Sequence, residues 1–140
     1  MINQQAITEL FNQQKRAFLA GKTQSVENRI AALRRLKQVI LANREAIHHA
    51  LASDLGKTPE IVDLAEIGAV TDEIDGVLSG LSAWAEDEIF PLSGFLAGSQ
   101  GRICAEPYGV CYIIGPFNYP FNLALTPLVG AIAAGNTAIV

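Results

Sequence analysis

The sequence predicts an α/β protein: an N-terminal helical layer followed by a β-hairpin and a strand–helix–strand unit. Three observations carry this. Apolar residues recur at helical spacing through the first 85 or so residues. The period then shortens to that of strands near residue 102. Charge is partitioned the same way: nine of the ten Lys and Arg lie at or before Lys57, every charge from Glu60 to Glu88 is acidic, and residues 107–140 carry none.

The first helix is expected over residues 3–20, with Ile7, Leu10, Phe11, Ala17 and Phe18 on one face and Gly21 as its stop. Ser25 caps a second helix whose stripe is Val26, Ile30, Leu33 and Ile40, with Arg29, Arg34, Arg35 and Lys37 on other faces. Asn43 is expected to cap a third, through Ala46, Ile47, Ala50 and Leu51, which Gly56 ends. Thr58-Pro59-Glu60 starts a long fourth helix to about residue 85: a capping hydroxyl, a proline in the first turn and an acid at the positive end of the dipole. Its stripe is Ile61, Leu64, Ile67, Ile74, Val77, Leu78, Leu81 and Trp84, with strain expected at Gly68 and Gly76. Acids along this helix repel one another, which places it beside the basic second helix. Asp72, Glu73 and Asp75 therefore read as a solvated face or as partners of that helix, and Trp84 and the upstream aromatics as core.

Residues 91–101, rich in Gly and Ser, read as a loop. Residues 102–106 and 109–114 read as two strands joined by a tight Pro107-Tyr108 turn. The second is nearly all apolar, the pattern of a strand covered on both faces. Gly115-Pro116 ends it. Residues 123–134 form the crossover helix, Gly135-Asn136 ends that, and residues 137–140 begin another strand. Strand, helix, strand is the opening unit of a Rossmann-like nucleotide-binding sheet. Such a unit alone lacks neighbours to cover its sheet, so the sequence reads as part of a longer domain. The division expected is 1–90 helical, 91–106 loop and first hairpin strand, and 107–140 the start of the nucleotide-binding core.

Composition excludes several classes. A net charge of −4 gives no broad attraction to nucleic acid. The uncharged end is interrupted by Pro116, Pro120 and Pro127 and holds Asn118, Asn122 and Asn136, which argues against a membrane span. Two cysteines, Cys104 and Cys111, make no disulfide framework; lying in expected strands, they read as buried, inert thiols. A reducing cytoplasm is the default compartment. His48 and His49 point about 100° apart on a helix and cannot share one metal ion, so no metal site is expected.

The stretch GPFNYPFNLALTPLVGAIAAGN, residues 115–136, with EPYGVCYIIGP before it, resembles the aldehyde dehydrogenase superfamily, most closely its class-three branch. VENRIAALRRL and EIGAVTDEID upstream are similar too, so the resemblance covers nearly the whole chain. It implies an NAD(P)-dependent oxidation of an aldehyde to a carboxylic acid through a cysteine thiohemiacetal, a homodimeric full-length enzyme, NAD or NADP as cofactor and a small aldehyde as substrate. The implied cysteine nucleophile, glutamate base and ribose-contacting lysine lie beyond residue 140, so the 140 residues alone are expected to be inactive. Asn118 matches the asparagine whose amide helps hold the aldehyde oxygen as it becomes an oxyanion; by residue type alone it reads first as a helix cap. Ile114, Gly115, Pro116 and Phe117 match the segment along the nicotinamide-side ribose and phosphates, a site without the G-x-G-x-x-G fingerprint. Phe117 stands where tryptophan is commoner, which loses an indole donor and leaves Asn118 intact. Two readings from other classes stand beside this resemblance: a non-catalytic helical interaction module and a membrane-anchored helical protein.

Overall fold

A computed structural model describes residues 3–140. The order is α1 (Gln4–Leu19), α2 (Val26–Ala42), α3 (Arg44–Leu55), α4 (Pro59–Val62), a π-helical turn (Asp63–Gly68), α5 (Ala69–Trp84), β1 (Glu88–Pro91), a 3-10 turn (Gly94–Leu96), β2 (Gln100–Ile103), β3 (Val110–Tyr112), α6 (Asn122–Ala133) and β4 (Thr137–Ile139). The α/β class and the strand–helix–strand unit agree with the sequence. β3 and β4 pair in parallel, Val110 opposite Thr137 and Tyr112 opposite Ile139, with α6 as the crossover.

Some local signals act where they were read, whereas Thr58 stands at the start of α4 without its hydroxyl making a capping hydrogen bond. Ser25 accepts from the Asn28 N–H at 3.2 Å and starts α2. Gly56 ends α3 in the left-handed region, at φ 63°. Asn43 does otherwise: its amide donates back to the Val39 carbonyl at 2.8 Å and closes α2 rather than capping α3.

The core is helix on helix. Leu33 of α2, Val70 and Ile74 of α5 and Val129 of α6 lose all exposure to solvent. The basic and acidic helices lie side by side, as their charges require, and Lys37 pairs with Asp75 at 2.5 Å. Arg29 ties α2 to the end of α6: one guanidinium N–H reaches the Ala133 carbonyl at 3.2 Å, favourable at the negative end of a helix. The following Gly135 (φ 88°) lies against that guanidinium, where a Cβ would come within 2.7 Å.

The long fourth helix is not one α-helix. The π turn adds a residue at Asp63–Gly68 and shifts the phase of the buried stripe. Val62 and Glu66 face inward, while Ile61 and Leu64 are exposed. The strain expected at Gly68 and Gly76 is not seen: Gly68 is ordinary right-handed helix at φ −58°, though a Cβ there would meet the Asp63 carbonyl, and a Cβ at Gly76 would meet open space.

A hairpin is present, with different partners from those expected. β2 pairs antiparallel with β1, Glu88 opposite Ile103, and not with β3. Pro107 lacks a ladder donor, Gly109 sits at φ 124°, and the Gly109 N–H and carbonyl are engaged by Asn136 and Thr137. β3 is thereby committed to β4. The stretch 91–101 is accordingly not all loop, since its two ends belong to β1 and β2.

Three burial expectations also change. Trp84 is 62% exposed, lying over Gly80 where a side chain would collide with its ring, and Phe11 of α1 is exposed. Cys104 lies just past β2 and is exposed, with its thiol pushed up by a hydrogen bond to Asp87. In β3, Val110 and Cys111 are half-buried against α1 and β4, but Tyr112 remains 74% exposed.

Candidate active-site turn

The turn of interest leaves the carboxyl end of β3. The Ile113 N–H reaches the Ile139 carbonyl at 2.9 Å, the last bond of the strand pair. Ile114 is 78% exposed, Gly115, Pro116 and Asn118 are exposed, and Phe117 is 90% exposed. The chain then turns through Tyr119 and Pro120 into α6. A Cβ at Gly115 would sit 3.1 Å from the Ala124 Cβ. Glycine therefore lets the end of the strand lie closely over the first turn of α6.

Asn118 stands four residues ahead of α6. The first helical N–H, that of Asn122, is taken by the Glu66 carboxylate at 2.8 Å. The helix is thus capped by a side chain from the π turn. The Asn122 amide donates to the Ala65 carbonyl at 2.9 Å, and Thr126 donates to the Asn122 amide oxygen at 2.7 Å. At Asn118 the bond is through the backbone: Lys57 Nζ donates to its carbonyl at 2.7 Å.

Lys57 and Glu66 are the residues that sequence reading passed over. Glu66 is 0% exposed and pairs with Lys57, whose ammonium also lies 3.8 Å from the centre of the Tyr119 ring. A signal was available. Val62, Glu66, Val70 and Ile74 are spaced four apart, and one carboxylate within three apolar residues on a buried stripe requires a partner. The π turn hid it, because a regular helix drawn through Ile61 and Leu64 turns Glu66 toward water.

Nearby, Asp63 of the π turn accepts from Arg44 and, at 2.7 Å, bonds His48 Nε2. The Arg44 guanidinium first, and His48 second, hold the Asp63 carboxyl well below the ordinary carboxylate range. His48 thus bonds Asp63, while Asp75 pairs with Lys37 of α2.

The topology defines a class. A parallel β3–α6–β4 unit opening onto an exposed turn is the building unit of α/β folds, where ligands lie beyond the carboxyl ends of the strands. Comparison with known proteins narrows that class. The profile of the aldehyde dehydrogenase family matches residues 1–140, and the chain belongs to that family. It is 41% identical over 133 residues to the dimeric NADP-preferring aldehyde dehydrogenase of Mus musculus, covering 95% of this chain and 29% of that protein. It is 42% identical over 125 residues to aldehyde dehydrogenase family 3 member B2 of the same organism, covering 89% of this chain and 26% of the relative. Among solved structures, substrate-bound AldH of Staphylococcus aureus superposes with a TM-score of 0.91 at 36% identity, over 94% of this chain and 29% of that one. The chain thus spans less than a third of the length of the relatives it matches. Among the described residues, no helix is long and apolar enough to cross a membrane.

Proposed function

We propose that this chain is the N-terminal portion of an NAD(P)-dependent aldehyde dehydrogenase, with Asn118 as one oxyanion donor and residues 114–117 as one wall of the cofactor site. The observation that carries the reading is the placing of Asn118. It lies past the carboxyl end of a parallel strand, on an exposed turn, while Glu66 rather than Asn118 caps α6. That weakens the helix-cap alternative and leaves the amide available to a ligand.

The residues suit one side of a dinucleotide. Residues 114–117 offer exposed backbone with no Cβ at Gly115, and no acid from residue 107 onward repels a phosphate. The cofactor, when bound, supplies a hydride acceptor. The NADP preference in the name of the mouse relative supports NAD or NADP here, and its dimeric description supports a homodimer. The family supports a small aldehyde as substrate. A reducing, cytoplasmic compartment suits two free cysteines.

In the reaction so assigned, a carbonyl carbon attacked by a thiolate develops charge on its oxygen. A fixed neutral amide stabilises that charge without reorganising as it forms. In the full-length enzyme, Asn118→Ala is expected to lower kcat about 10²–10³-fold, with cofactor Kd little changed. Wild-type turnover in that variant would remove Asn118 from the chemistry. The purified 140-residue chain is expected to show no NAD(P)-dependent aldehyde oxidation, since the nucleophile and base implied by the family fall outside it; a measurable rate in a cofactor-reduction assay would overturn this.

A further inference from the structure

One buried charge pair, Lys57 with Glu66, is given no chemical role in the function proposed above. Glu66 lies within an apolar stripe, between Val62 and Val70, and is wholly withdrawn from water. For stability alone an apolar side chain serves such a position as well or better, because the desolvation of two charges offsets their attraction. What an apolar side chain cannot supply is the set of bonds made here. The Glu66 carboxylate accepts the Asn122 N–H and holds the Lys57 ammonium. The ammonium donates to the Asn118 carbonyl at 2.7 Å and faces the Tyr119 ring. Three separate pieces of chain therefore meet at one nitrogen: the segment after α3, the π turn, and the turn that carries Asn118.

We propose that Lys57, fixed by Glu66, is a positioning residue that sets the direction in which Asn118 presents its amide. The inference rests on the reading of Asn118 as an oxyanion donor. A donor of that kind acts through its fixed placement, and a displacement of about 1 Å is enough to cost a large factor in rate. Lys57 holds Asn118 by the backbone, which leaves the side-chain amide free for a ligand. The ring of Tyr119 restricts the ammonium from another side, so rotation of the turn breaks two contacts together.

The test uses the full-length enzyme and the double variant Lys57→Met/Glu66→Gln. Both charges leave together, so neither is stranded, and the introduced glutamine amide keeps an oxygen for the Asn122 N–H. Its kcat is expected to fall at least about tenfold, with cofactor Kd and Tm little changed. In an Asn118→Ala background the same pair of changes should add little further loss, because it acts through the missing amide. Undiminished kcat, or an equal loss in both backgrounds, would overturn the proposal; the second result assigns the pair a structural role only. Where the double variant does not fold, Lys57→Arg keeps a cation beside Glu66 but cannot address carboxylate, carbonyl and ring from one nitrogen, and the same dependence on Asn118 is expected. If Asn118→Ala itself turns over normally, the oxyanion reading fails. Amide hydrogen exchange of residues 117–122 then decides separately whether the ion pair orders the turn, and unchanged protection in the variant rejects it.

Discussion

The helical layer and the turn after β3 are held by opposite means. In the layer, Leu33, Ile74 and Val129 are fully buried in one apolar cluster, and the adhesion is spread over many side chains. The turn has its large apolar side chains, Ile114 and Phe117, in solvent. It is fixed by a few directional bonds: Ile113 to Ile139, Lys57 to Asn118, Glu66 to Asn122. Apolar packing tolerates small errors of position, whereas a hydrogen bond weakens steeply with angle. A surface proposed to present one amide to one atom is therefore better fixed by bonds, and the packed layer gives those bonds a rigid base.

The largest effect that would break this contrast is in the layer. Ile74→Ala should destabilise the protein by about 2–5 kcal/mol, read from the urea midpoint, because a fully buried side chain leaves a cavity. A loss well below that would mean the layer is loosely packed. A smaller and more local effect is expected where the strand pair is closed by a side chain. The buried Asn136 amide oxygen accepts the Gly109 N–H at 2.9 Å. Asn136→Ala strands that donor and should cost about 1–3 kcal/mol. The loss should appear first as faster amide exchange in β3 and β4, and uniform exchange throughout the molecule would erase the distinction between the regions.

The smallest effect is electrostatic and tied to pH. The folded pKa of Asp63 lies below its unfolded value, so its contribution to stability is present above the ordinary carboxylate range and fades as pH falls through it. The Tm difference between wild type and Asp63→Asn should therefore be present at pH 7 and shrink below about pH 4. A difference that stays constant down to about pH 2 would show that the bonds to Arg44 and His48 do not bias the titration.

Much of the fold was legible because its signals are local. A cap at Ser25, a left-handed glycine at residue 56 and a proline at residue 59 act within one helical turn, and each lies where its chemistry acts. The β3–α6–β4 order was legible for the same reason, since an apolar strand, a crossover and a glycine-asparagine stop follow in sequence. The candidate site was legible in part. Asn118 and residues 114–117 stood out through the motif, but Lys57 and Glu66 did not, being 61 and 56 residues from their partners Asn118 and Asn122.

The sequence by itself determined the main helices and where most of them stop, the β3–α6–β4 order, that the basic and acidic helices adjoin, and which family the last third resembles. Tertiary structure alone decided that β2 pairs back to β1, that a π turn interrupts the long helix, that Trp84 and Cys104 face solvent, and that one ammonium joins three distant segments. The physical reason is range. Backbone conformation responds to neighbours within about four residues, while pairing, burial and charge contact depend on what the folded chain brings alongside.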